Sequence, residues 1–154
     1  MLEIEIKVRV PDIVEIRSRI LERGGTLSEI LTEHDTYYNA PHRDFGVTDE
    51  ALRLREAGGR STVTYKGPKN TILGSKIREE LNLEILDSRC FDSIVTRLGF
   101  IPVAIVRKMR EYYRYEDFTI SLDQVENLGD FVEIELITAD DAAGAAGRVD
   151  ALAK

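Results

Sequence analysis

Cysteine is almost absent. Cys90 is the single one among 154 residues, so no intrachain disulfide can form, which suits a reducing cytoplasm. Tryptophan is missing, and His34 and His42 are the only histidines. Neither has metal-ligand spacing with the other or with Cys90, which removes a His/Cys centre from the starting set. No apolar run reaches the ~20 residues that a membrane-spanning helix needs. The first strand-like segment carries Glu3, Glu5 and Lys7, unlike a signal peptide. These readings predict a cytoplasmic protein with no membrane partner. Positive charge is in deficit, with 21 Lys and Arg against 28 Asp and Glu and a net charge of -7. That argues against nonspecific nucleic-acid binding and leaves room for a local basic pocket. The glycine-rich GxxxxGK[ST] phosphate loop is missing. The Asp44-Phe45-Gly46 triplet lacks the loops that give it meaning in a kinase.

What is present is a chain of 43% hydrophobic and 32% charged residues, which predicts one globular domain over residues 1–154. Two segments have helical period. One runs from about Asp12 to Arg23 with Ile13, Ile16, Ile20 and Leu21 on a stripe, opened by Pro11 and closed by Gly24-Gly25. The other runs from about Asp87 to Leu98 with Phe91, Ile94, Val95 and Leu98, and stops at Gly99. Most of the remainder alternates with period two, predicting strands near 2–10, 27–39, 50–56, 61–67, 76–86, 103–115, 118–123 and 130–138. Gly58-Gly59 reads as a hairpin turn, and Asn39–Thr48 and Gly67–Gly74 read as loops. Strand, helix, strand occurs twice, over Met1–Asn39 and Glu79–Tyr115. Glu3-Ile4-Glu5-Ile6-Lys7 then lines up with Glu80-Leu81-Asn82-Leu83-Glu84, and Tyr37-Tyr38 with Tyr112-Tyr113. The segment 138–154 is rich in Ala, Gly and Asp and reads as a short helix or a disordered end.

Residues i and i+2 of a strand share a face. Glu3, Glu5 and Lys7 therefore point one way; so do Arg53 with Arg55, Thr62 with Thr64 and Lys66, and Arg78 with Glu80, Asn82 and Glu84. Lys108 and Arg110 share a face with Tyr112, Thr119 with Ser121 and Asp123, and Glu133 with Glu135. On one strand this is what any solvated face looks like. Seven strands share it, and like charges stand side by side in several. Neighbouring like charges repel by roughly 1 kcal/mol in water and several-fold more in a cleft. Such clusters make sense around a polyanion and its metal. Arg offers phosphate a two-pronged donor and Lys a point charge. Mg²⁺ or Mn²⁺ takes carboxylate, phosphate and water oxygens. Closing eight strands into a barrel would bring all these faces around one small ligand. The fold class is therefore α+β, an eight-stranded antiparallel closed β-barrel with flanking helices.

The ordered set of motifs resembles one family. Glu3-Ile-Glu5-Ile-Lys7 is similar to the ExExK signature of the CYTH superfamily, the triphosphate tunnel metalloenzymes. It is followed in order by Leu52-Arg53-Leu54-Arg55, Thr64-Tyr65-Lys66, Arg78-Glu79-Glu80, Lys108-Met109-Arg110, Asp123 and Leu128-Gly129-Asp130-Phe131-Val132-Glu133-Ile134-Glu135. Asp35-Thr36-Tyr37-Tyr38 and Arg43-Asp44-Phe45 look closest to the class IV adenylate cyclase-like branch. The resemblance implies that Lys7, Arg53, Arg55, Lys66, Arg78, Lys108 and Arg110 bind a triphosphate, with Lys7, Arg55 and Lys66 at the reacting centre. It implies that Glu3, Glu5, Glu80, Asp123, Glu133 and Glu135 bind Mg²⁺ or Mn²⁺. Asn82 stands where the family often has a second Glu, which would weaken a second metal site. The short tail would leave one tunnel mouth open or closed by a partner.

Three functions follow from this reading. A cyclase would convert ATP to cyclic AMP and pyrophosphate, a hydrolase would cleave thiamine or inorganic triphosphate, and a binder would only hold a phosphorylated ligand. The complete acidic set favours metal chemistry over mere anion binding. A homodimer is expected, because two amphipathic helices are too few to cover the apolar outer faces of eight strands.

Overall fold

The computed structural model describes residues 1–139 and 141–154; Asp140, in the Ala/Gly/Asp-rich tail, lies outside the described residues. Nine strands form one sheet: β1 (Leu2–Arg9), β2 (Thr26–Asn39), β3 (Ala51–Ala57), β4 (Arg60–Lys66), β5 (Asn70–Ile72), β6 (Ser75–Ile85), β7 (Ile101–Tyr115), β8 (Phe118–Val125) and β9 (Gly129–Thr138). Their order is β1-β9-β8-β7-β2-β3-β4-β6, and an antiparallel β1–β6 pairing returns to the start. Eight strands thus close into a barrel, and β5 is a short hairpin arm on β6. The expected eight strands are all present, each within a few residues of its predicted limits. The loop at 67–74 holds the additional arm β5.

The helices are α1 (Ile13–Glu22), α2 (Phe45–Thr48), α3 (Ser88–Arg97) and α4 (Ala142–Ala153). Asp12 caps α1 by accepting from the Val14 and Glu15 amides, and Asp87 caps α3 by accepting from the Cys90 amide. Such caps satisfy amides that the first helical turn leaves without partners. Gly24 (φ 92°) and Gly99 (φ 95°) end the two helices in the left-handed region, where a side chain would strain the backbone. The two strand-helix-strand units expected from the sequence are β1-α1-β2 and β6-α3-β7. Their strands pair crosswise, β1 with β6 and β2 with β7, each antiparallel.

Because the lumen is polar, the apolar core lies outside the barrel, between its wall and the helices. The larger cluster joins Ile13 and Ile20 of α1 and Ala145, Ala146 and Val149 of α4 to Ile4, Ile120, Leu122, Ile134 and Leu136 of the wall. The smaller one sets Val95 and Phe91 of α3 against Tyr38 and Leu54. Leu21, Ile94 and Leu98, placed on the predicted helical stripes, are instead about half exposed or more, because each helix meets the curved wall along a narrow line. The tail is the helix α4. Its Ala145, Ala146 and Val149 are small enough to lie close against β1, β6 and β9. Fully burying a side chain such as Val149 is worth about 1.5–3 kcal/mol. Apolar outer positions of β6 and β7, namely Leu81, Leu83, Ile101, Val103 and Ile105, remain exposed.

The close approach of α4 gives a differential test. Ala146 is fully buried and Ala143 is exposed. Ala146→Leu should overpack the seam and cost about 1–3 kcal/mol, whereas Ala143→Leu should be nearly neutral. Equal urea midpoints for the two variants would refute the docking of α4.

Candidate functional site

Alternation along the strands aims the charged residues inward. Register places Glu5 opposite Glu135, Lys7 opposite Glu133, Arg110 opposite Asp123, Lys108 opposite Glu33, and Lys66 opposite Glu80. The lumen encloses a cavity of about 620 Å³, within the size range of small-molecule sites. Nine basic and eight acidic side chains line it. Asp35 and Asp123, both fully buried, stand behind them.

Three carboxylates of β1 and β9 gather on one side of the lumen. Oxygens of Glu3, Glu5 and Glu135 lie within 4.8 Å of one another. Burial, then repulsion from Glu133 and Glu3, pushes Glu5 up to about 7. Burial, then Glu3 and Glu133, pushes Glu135 up to about 8. Glu5 and Glu135 hold their protons near neutral pH because the Lys66 ammonium offsets only part of the burial and repulsion. Hard oxygen donors in this arrangement fit Mg²⁺ or Mn²⁺. Glu3 and Glu80 are also gripped by Lys66, whose Nζ lies 2.7 Å from Glu3 Oε2 and 3.0 Å from Glu80 Oε2.

The remaining acids expected at a metal serve a different set of partners. Arg110 Nη2 donates to Asp123 Oδ2 at 2.6 Å and to Glu133 Oε2 at 3.3 Å. Lys7 reaches the same two carboxylates at 3.4 and 3.3 Å. Burial opposes the charge on Glu133, but Arg110, then Lys7 and Lys108, outweigh it and hold the carboxyl well below its usual range. Asp123 and Glu133 are therefore ion-paired here, apart from the Glu3/Glu5/Glu135 group.

Two further acids, Glu33 and Asp35, were not among the expected site residues, although Asp35 opens the Asp35-Thr36-Tyr37-Tyr38 stretch. They hold the basic residues in place from behind. Arg55 donates two hydrogen bonds of 2.7 Å to Asp35, and its Nη1 lies 3.2 Å from Glu33 Oε1. Tyr112 donates to Glu33, and burial, despite Arg110, pushes this hydroxyl up to about 12. Lys108 lies 3.8–3.9 Å from Glu33, Asp35 and Asp123. Burial, then Arg110 and Arg55, lowers its ammonium to about 8. The signal in the sequence was the i, i+2 spacing of Glu33 and Asp35. It was masked by polar Thr32, His34 and Thr36 on the other face of β2.

Arg53 differs from Arg55, Lys66, Lys108 and Arg110, which all pair with carboxylates. Among the described residues it forms no ion pair, and its Nε is buried without a hydrogen bond. One donor, Nη2, reaches Thr64 Oγ1 at 3.2 Å. Thr64 in turn donates to Asn82 Oδ1 at 2.6 Å, and Asn82 Nδ2 donates to Glu80 at 2.8 Å. The Asn expected to weaken a second metal site thus links Glu80 to the Arg53 side chain without adding charge. Arg78 lines the cavity too, but its guanidinium is spent on backbone carbonyls: Gly67 at 2.8 Å, Asp49 at 3.2 Å and Lys66 at 3.4 Å.

The raised carboxyls set a pH dependence for the metal-free protein. Both stand above the ordinary value of 4.5, so their contribution to stability is complete below about pH 4.5. It is lost as pH rises through about 7 and 8. Bound metal must displace these protons, so metal affinity should climb roughly tenfold per pH unit for each proton displaced. Added Mg²⁺ or Mn²⁺ should raise the Tm more at pH 8 than at pH 6. Equal shifts at the two pH values would refute the assignment of Glu5 and Glu135.

Comparison with known proteins agrees with this geometry. A family model described as the CYTH domain matches residues 1–154. A Methanocaldococcus jannaschii protein named "Putative adenylate cyclase MJ0240" is 41% identical over 140 residues, covering 91% of this chain and 79% of that protein. Adenylate cyclase CyaB of Aeromonas hydrophila is 25% identical over 143 residues, 91% of this chain and 71% of its own length. Among solved structures, the PH1819 protein of Pyrococcus horikoshii OT3 is 39% identical with a TM-score of 0.86, over 97% of this chain and 87% of that one. The matched sequence, the closed barrel and its charged lumen together show that the chain belongs to the CYTH domain family.

Proposed function

We propose that the lumen binds ATP with Mg²⁺ or Mn²⁺ and converts it to cyclic AMP and pyrophosphate. One observation carries this reading: the Glu3/Glu5/Glu135 carboxylates converge in the same cavity as Arg53, Arg55, Lys66, Lys108 and Arg110. The adenylate cyclase names of the relatives support the choice of reaction. A bound metal ion would neutralise phosphate oxygens as charge builds on the departing pyrophosphate.

The chain's own residues account for the rest. Arg53 has donors to spare and clamps a phosphate through its planar fork. Lys66 sits on Glu3 and Glu80, and exchanges Glu3 for a phosphate oxygen when the carboxylate takes a different partner. Arg55 and Arg110 are locked by Asp35 and Asp123 and present fixed positive edges to the lumen. Such pre-aimed donors are the kind that stabilise charge in a transition state. In the reaction the ribose 3'-oxygen bonds to the α-phosphorus, the bond to the bridging oxygen breaks, and the hydroxyl proton passes to solvent.

Incubation of the pure protein with ATP and either metal should yield cyclic AMP and pyrophosphate on chromatography. ADP with phosphate would move the assignment to a hydrolase. Intact ATP, thiamine triphosphate and inorganic triphosphate would leave a binder.

Two arginine variants separate binding from stability. Arg53→Ala removes no ion pair and should lower kcat/KM about 100-fold with little change in Tm. Arg55→Ala strands the buried Asp35 and should cost roughly 3–5 kcal/mol of stability. An unchanged kcat/KM in Arg53→Ala would sink the phosphate-clamp role.

A further inference from the structure

Inward side chains cross the wall from β3 through β4 to β6 in rows. Register sets Ala51, Lys66 and Glu80 in one row, Arg53, Thr64 and Asn82 in the next, and Arg55, Thr62 and Glu84 in the third. The flanking rows each carry a cation and an acid, whereas the middle row carries a cation, a hydroxyl and an amide. We propose that Thr64, backed by Asn82, is a positioning residue: it fixes the Arg53 guanidinium for a phosphate while leaving its charge uncompensated. The inference rests on the triphosphate reading above and adds which side chains aim the clamp.

The chemistry of the two ends settles the direction of the hydrogen bonds. A guanidinium only donates and a carboxylate only accepts. Arg53 Nη2 donates to Thr64 Oγ1 at 3.2 Å, which leaves the Thr64 hydroxyl to donate onward, to Asn82 Oδ1 at 2.6 Å. Asn82 Nδ2 then donates to Glu80 Oε1 at 2.8 Å. The chain runs one way, from a cation to a carboxylate. Neither neutral member can turn round without losing a bond. Bonds linked in this sense strengthen one another. Thr64 is fully buried, and a β-branched side chain is stiff about its first torsion. Its hydroxyl is therefore a fixed anchor for a long arginine.

The manner of holding sets Arg53 apart. Arg55 donates two hydrogen bonds of 2.7 Å to Asp35, and Arg110 donates bonds of 2.5 and 2.6 Å to Asp123. Each of those carboxylates fixes its arginine and offsets its charge at the same time. Thr64 fixes without offsetting. The Arg53 Nε is buried with no hydrogen-bond partner, and a buried donor left unmet is costly. A phosphate oxygen supplies both the missing acceptor and the missing charge. A carboxylate at position 82 would have placed a counter-charge in the same row and weakened that demand.

The test is calorimetry with Mg²⁺ and a tripolyphosphate whose two bridging oxygens are replaced by methylene groups, so that it binds without being cleaved. Thr64→Val keeps the shape and removes the hydroxyl, while Thr64→Ser keeps the hydroxyl. Affinity should fall about tenfold in Thr64→Val, as for the loss of a hydrogen bond to a charged group, and stay within about twofold in Thr64→Ser. Asn82→Ala, which takes away the acceptor of the hydroxyl, should lose about threefold. The deciding measurement uses the Arg53→Ala background. There Thr64→Val should cost nothing further, because a positioning residue acts only through the group it positions. The same loss with and without Arg53 would make Thr64 a part of the wall and overturn the proposal, as would unchanged affinity in Thr64→Val. If Thr64→Val failed to fold, Asn82→Ala in the two backgrounds would decide in the same way. If the analogue did not bind the wild-type protein, the tunnel reading would fall and take this inference with it.

Discussion

Buried charge must find a partner, and closure of the barrel turns that requirement into the organising constraint of this molecule. Eight strands send alternate residues into one cavity, where nine basic and eight acidic side chains meet. An isolated ion there would cost several kcal/mol. The structure meets the constraint by layering: fully buried Asp35 and Asp123 stand behind Arg55 and Arg110 and fix them by paired hydrogen bonds. The cations are thereby held in position before a ligand arrives. Side chains ordered in advance lose less freedom on binding.

The same polar lumen explains the inverted core. With the barrel interior given to charge, apolar burial has to come from outside, from α1 and α4 on one side and α3 on another. That is why α4 matters, although its sequence looks weak. Two of its residues, Gly144 and Gly147, are poor helix formers. Tertiary packing of Ala145, Ala146 and Val149 carries it instead.

Legibility followed periodicity. Strands with a clean apolar counter-face, such as Glu3-Ile4-Glu5-Ile6-Lys7, revealed both their type and their inward residues. The strand Thr32–Tyr37 is polar on both faces, so alternation could not show that Glu33 and Asp35 point inward; only its register with β3 and β7 does. The tail was ambiguous because small residues carry little hydrophobic signal, although they permit the closest packing. The division of the acids into a converging trio and an ion-paired group was also hidden. It depends on which strands become neighbours, and that is a property of closure rather than of any one segment.

Closure also makes the two walls unlike. On the β1–β9 wall, Glu5 faces Glu135, and neither forms an ion pair among the described residues. On the β4–β6 wall the corresponding pairings are Thr64 with Asn82 and Lys66 with Glu80, where a neutral pair and an ion pair replace two acids. Repulsion therefore accumulates on one wall only, and the strongly raised carboxyls, Glu5 and Glu135, are found there. The adjoining β4–β6 wall leaves Arg53 of β3 without an ion-pair partner among the described residues, since Thr64 and Asn82 can hydrogen-bond but carry no charge. A ligand that supplies a cation to one side and phosphate oxygens to the other relieves both imbalances at once. An anion alone would meet the unrelieved acids, and a cation alone would leave Arg53 uncompensated. The layout of the lumen thus suits a cation and an anion held together better than either by itself, which is the arrangement the proposed function calls for.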